Sequence, residues 1–106
     1  MSIADRLEAT LAAGNDSAAL RFGLASAYFG EERFDEARRH AGVAVELDPD
    51  YSAAWRLLGR ACAALDDDGA AVEAFEQGIA SAERRGDMQL VREMRVFLRR
   101  LKPAGD

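Results

Sequence analysis

The sequence is poor in the residue types that most often carry chemistry. It holds one cysteine, Cys62, one histidine, His40, and two prolines. A single thiol excludes an internal disulfide and a thiolate cluster for zinc, in keeping with a reducing compartment. With one histidine there is no Ser-His-Asp set to assemble. No second ligand or nucleophile stands at a useful spacing from His40, which lies between Arg39 and Ala41 and reads as a solvated surface residue. No glycine-rich loop is present to cradle a phosphate. Asp66-Asp67-Asp68-Gly69 carries consecutive acids, whereas a calcium loop alternates them and closes on a glutamate, so this stretch reads as a turn and helix N-cap. The expectation is a protein without catalytic residues, cofactor, metal site or small-molecule substrate. Long apolar runs are missing as well. The N-terminal stretch MSIADRLEATLAAG has scattered charges in place of the basic start and apolar run of a signal peptide, and no segment nears the length of a membrane span. That predicts a cytoplasmic location and no membrane association.

What is present favours helix. Hydrophobic residues make up 49% of the 106-residue chain and charged residues 31%, which fits one globular unit rich in Ala, Leu, Glu and Arg. The net charge of -5 conceals an asymmetry. Residues 84–102 carry seven basic side chains against Asp87 and Glu93, while residues 1–83 carry seven basic against sixteen acidic. The basic segment raises anionic polymer binding by Arg92, Arg95, Arg99 and Arg100. The acidic body and the lack of interleaved exposed aromatics argue against nucleic acid, and a basic helix neutralising an acidic neighbour accounts for the pattern.

A shift of the sequence against itself by 34 residues superposes Leu24 on Leu58, Ala25 on Gly59, Ala27 on Ala61, Ala37 on Ala71, Ala44 on Gly78 and Val45 on Ile79. All are apolar or small, at the spacings of one helix face. One copy reads Trp55, Leu58, Gly59, Cys62, Ala71 and Phe75; the other reads Leu24, Ala25, Tyr28, Ala37, Ala41 and Pro49. Across about residues 17–83 this resembles the tetratricopeptide repeat family, whose unit opens Trp-x2-Leu-Gly-x2-Tyr, continues through Ala-x3-Phe and closes with Pro. The resemblance implies an all-α fold, a right-handed α-α superhelix of about six helices. The periodicity places these at about 2–13, 17–30, 34–47, 51–64, 69–84 and 88–101. Residues 1–103 then form a single domain, with an N-terminal capping helix in 1–16, repeats at 17–50 and 51–85, a C-terminal capping helix in 86–102 and a tail at 103–106.

Pro49 is expected to end one repeat, with Asp50 capping the next helix. Glu83 stands where the first copy has Pro49, so the fifth helix should run longer. The first helix presents Ile3, Leu7, Thr10 and Leu11 to the stack; the last presents Leu90, Val91, Met94, Phe97, Leu98 and Leu101.

The resemblance also implies binding of a peptide or protein partner in a concave groove lined by the first helix of each repeat. Residues on those helices and off the buried stripe are Phe22, Ser26 and Phe29 and, one period on, Arg56, Arg60 and Ala63. They form an aromatic stripe beside a cationic one. The arginines suit carboxylates and the phenylalanines an apolar side chain. Alternatively, the arginines pair with nearby acids and the phenylalanines pack on a neighbouring helix. The Lys, Asn and Arg clamp with which some family members hold a C-terminal carboxylate is missing, since Asn15 and Lys102 are the sole residues of their types. A second reading is a structural, self-associating homodimeric subunit; the oligomeric state expected overall is a monomer or weak homodimer.

Overall fold

The computed structural model describes residues 1–102. Among these, α1 spans Ile3–Ala12, α2 Ala18–Gly30, α3 Phe34–Leu47, α4 Ser52–Ala64, α5 Asp68–Arg85 and α6 Met88–Leu101. The expected tail at 103–106 lies outside the described residues. Four helices begin on a side-chain cap. Ser2 and Asp5 form a reciprocal box at α1, Ser17 accepts from the Leu20 N–H at 3.0 Å, and Asp67 and Asp87 accept from the Ala70 and Leu90 N–H groups. The α2–α3 and α4–α5 turns are built alike. Glu32 and Asp66, one period apart, both adopt φ of 60°, and the following N–H groups of Arg33 and Asp67 each reach back 2.9 Å to the carbonyls of Tyr28 and Cys62.

Packing runs in series. Each helix from α1 to α5 packs on the next, and α2, α4 and α6 also touch in order, giving stacked helical hairpins with extents of 49 × 28 × 19 Å. The core is made of small residues and a few large ones. Ala25, Ala37, Ala41, Ala44, Ala54, Ala61 and Ala71 are fully buried and bring the backbones close, while Leu24, Phe75, Val91 and Met94 fill the space between hairpins. Two glycines are required by contact. A Cβ on Gly59 would lie 2.6 Å from Cε1 of the Phe75 ring, and one on Gly78 would lie 2.5 Å from Sδ of Met94 and 2.9 Å from Cβ of Trp55.

Three expectations need correction. Ile3 is 68% exposed, and Ala4 is buried in its place with Leu7 and Leu11 packed beside it. Because α1 packs mainly on α2, its buried stripe is narrow and turned by one residue from the repeat alignment. Asp50 does not cap α4. Its carboxylate takes Nη2 of Arg84 at 2.7 Å, and α4 starts from Tyr51 without a side-chain cap. Pro49 contributes through its carbonyl, which accepts the Trp55 indole N–H at 2.8 Å and ties the turn to the core.

The third correction concerns His40, which is 0% exposed. Arg21, held by Asp16 through two hydrogen bonds of 2.9 and 3.0 Å, directs Nη1 to Nδ1 of His40 at 3.0 Å. The guanidinium donates, so Nδ1 accepts and the ring proton sits on Nε2. Nε2 has no hydrogen-bond partner and lies 4.0 Å from Oε2 of Glu8, which accepts the Tyr28 hydroxyl at 2.5 Å. That contact pushes the Tyr28 pKa up to about 12. Burial, reinforced by the charges of Arg39 and Arg21, holds the His40 pKa below its usual value, against the pull of Glu8 and Asp16.

Two predictions follow from the packing and the buried network. Gly59→Val should destabilise the fold by about 2 kcal/mol or more, because the Phe75 ring has nowhere to go. Gly42→Ala, where nothing lies within 4 Å of the added carbon, should stabilise by roughly 0.5–1 kcal/mol. Thermal denaturation of the two variants checks the opposite signs. The unfolded chain takes up a proton on His40 near pH 6.5 and the folded chain only at lower pH, so the stability from the neutral ring is whole above about pH 6.5 and declines below it. The wild-type thermal midpoint should fall between about pH 7.5 and 5.5, and the slope should flatten in His40→Gln, whose amide oxygen can accept from Arg21 without titrating. Equal slopes would show that His40 does not carry the effect.

Candidate partner-binding groove

Helices α2 and α4 are the first helices of successive hairpins, and α6 follows them in the same row. A cavity of about 250 Å³ opens on the face they share, lined by Phe29 of α2, Arg60 and Ala63 of α4, Phe75 of α5, and Phe97, Arg100 and Leu101 of α6. Its floor is aromatic: Phe75 and Phe97 stack with centroids 5.4 Å apart and planes 12° from parallel. Phe29 is held edge-on by Phe34 at 5.1 Å. Between the walls sits Arg60, whose Cζ is 4.8 Å from the Phe29 centroid and 5.5 Å from that of Phe97. The Arg100 Cζ stands 5.9 Å from the same Phe97 ring. These are cation–π distances, and they favour charge over the ring faces.

The residues singled out in the sequence divide into two groups. Phe29, Arg60 and Ala63 converge on the cavity. Phe22 is drawn to the other end of α2, packed against the Tyr51 ring at 5.0 Å and against two core clusters. Arg56, one turn before Arg60, donates from Nη1 to Oε2 of Glu93 at 3.0 Å. Ser26 is exposed on α2 between the two phenylalanines. The basic helix is likewise divided: Arg95 pairs with Glu83 at 3.2 Å, whereas Arg100 faces the cavity.

The contribution of α6 escaped the repeat alignment. α5 runs for 18 residues where α3 has 14, since Glu83 does not stop it as Pro49 stops α3, and α6 therefore begins at Met88, two residues later than a 34-residue step from Ser52 would place it. Allowing for that slip, Met94 falls on Leu58 and Leu98 on Cys62, and α6 takes the place of a third groove helix.

Other reactive groups are quiet. Cys62 is buried, and desolvation pushes its thiol pKa up, which disfavours the nucleophilic thiolate. Among the described residues no group of three or more His, Cys, Asp or Glu is arranged to hold a metal ion, and no helix is long and apolar enough to cross a membrane.

A sequence profile described as Tetratricopeptide repeat matches residues 29–93. The chain belongs to the tetratricopeptide repeat family. It is similar to the TPR repeat-containing protein PA0015 of Pseudomonas aeruginosa, with 48% identity over 98 residues that cover 92% of this chain and 93% of the relative. It is also similar in structure to protein BPP2914 of Bordetella parapertussis, solved in solution, with a TM-score of 0.81, 46% identity, and coverage of 95% of this chain and 88% of the other. A more distant match is a heat-shock protein cognate co-chaperone of Aspergillus fumigatus, 32% identical over 80 residues that span 76% of this chain and 24% of that protein. Tetratricopeptide repeats generally mediate protein–protein interaction, and the aromatic, cation-bearing cavity of this member of the family is lined from α2, α4, α5 and α6.

Proposed function

We propose that this protein is a non-catalytic adaptor that binds a segment of a protein partner on the face formed by α2, α4 and α6, with Phe29, Arg60, Ala63, Phe97, Arg100 and Leu101 as the contact set. The observation that carries this reading is the convergence on one open cavity of residues from all three groove helices. Its volume of about 250 Å³ is smaller than the roughly 300–1,000 Å³ of most small-molecule pockets, and suits one inserted side chain. Aromatic and arginine side chains are the types that dominate binding hot spots. Phe22 and Arg56, engaged by Tyr51 and Glu93, serve the stack in this account and leave the contact set. Without the lysines and asparagine of a carboxylate clamp, a chaperone C-terminus is a poor fit as the client.

The test is affinity capture from lysate with the wild type and with Ala63→Trp, which fills the cavity from its wall, after circular dichroism has shown equal helicity. A client bound by the wild type should bind the variant about tenfold or more weakly. Equal capture of the same client by both proteins would place its site elsewhere.

A further inference from the structure

We infer that the groove selects an acidic partner: an extended segment that seats one bulky apolar side chain in the cavity and presents a carboxylate side chain two residues away to Arg60 and Arg100. This rests on the groove reading above and adds to it the chemistry of the ligand. The lining contains two guanidinium groups, three phenylalanine rings, Ala63 and Leu101, and no acid, although the chain as a whole is acidic at -5. Neither Arg60 nor Arg100 has a carboxylate partner among the described residues. Arg56 is neutralised by Glu93, and Lys102, beside Leu101, reaches Glu76 at 3.8 Å. Arg92 and Arg99 of α6 are likewise without a carboxylate among the described residues, so what sets Arg60 and Arg100 apart is that their unpaired charge lies against aromatic rings in an acid-free cavity.

Geometry favours a carboxylate as the missing partner. A guanidinium over ring faces keeps its in-plane N–H edge free, and that edge matches a carboxylate in fork geometry. Both cations lie within 6 Å of the Phe97 centroid, so an anion that meets them must stand close to the side chain seated on that ring. In an extended segment, residues i and i+2 share a face and are separated by about 6.5–7 Å, which sets an apolar anchor and an acid at that spacing side by side.

The experiment pans a displayed library of random dodecapeptides against the intact protein, then measures amide shift changes and affinities for the enriched peptides. The expected result is a consensus of Leu, Phe or Trp with Asp or Glu two positions away, shifts centred on Phe29, Ala63, Phe97 and Leu101, and about tenfold or greater loss of affinity on Asp→Asn in the peptide or on Arg60→Gln/Arg100→Gln in the protein. Peptides that move the same amides but carry no acid, or that bind the double variant unchanged, would overturn the acidic preference and leave the groove standing. Enriched peptides that move other amides, or a library that yields no binder, would overturn both.

Discussion

The absence of a side chain at Gly59 is the constraint from which the face shared by α2, α4 and α6 is built. Because nothing projects there, the Phe75 ring of α5 can lie flat against α4, fully inside the core. Phe75 in turn stacks on Phe97, and Phe97 carries the guanidinium of Arg60. Gly78 performs the matching service on α5 of the same hairpin, admitting Met94 and Trp55 and setting the depth at which α6 docks. A buried stack of close-packed helices has little room for relaxation, so these two positions fix where α6 stands and hence whether a third helix reaches the groove at all. Packing and the proposed binding face are linked here by direct contact.

Charge is arranged on a different principle. Several arginines are tied to acids across element boundaries: Arg21 to Asp16, Arg84 to Asp50, Arg56 to Glu93 and Arg95 to Glu83. Exposed pairs of this kind contribute roughly 0–1 kcal/mol each, so their part in stability is small beside that of the core. Their larger effect is on the electrostatic surface, because they cancel charge wherever they form. Arg60 and Arg100 are held by aromatic rings instead, and an aromatic ring leaves the cation's charge intact. An acid-free, arginine-bearing cavity within an acidic protein is the result, and that contrast is what the proposed preference for an acidic segment rests on.

The hairpins were legible in the sequence because the 34-residue period, the small residues at helix contacts and Pro49 all point to the same boundaries, and the helices begin and end within one residue of where the pattern puts them. Half the cavity was legible for the same reason, since Phe29 and Ala63 are one period apart. The other half was hidden by the longer α5, which with its shorter connection puts α6 two residues out of step with the period. His40 was hidden by its chemistry. It stands three residues after Ala37 and four before Ala44, squarely on the buried stripe, and one period before the buried Ala74, yet a polar side chain flanked by Arg39 reads as surface until Arg21 is seen to hydrogen-bond it. Phe22 and Arg56 lie on the groove side by helical periodicity, and only the three-dimensional positions of Tyr51 and Glu93 reveal that each is already engaged by a neighbour.

The measurement that bears most directly on this account is an NMR determination of the environment of the Arg60 side chain in the free protein. Nuclear Overhauser contacts from its δ and ε protons to the ring protons of both Phe29 and Phe97, together with upfield ring-current shifts of those protons, are the predicted result. Random-coil shifts for Arg60 with no contact to Phe97 would show that α6 does not complete the groove, and would contradict the three-helix binding face.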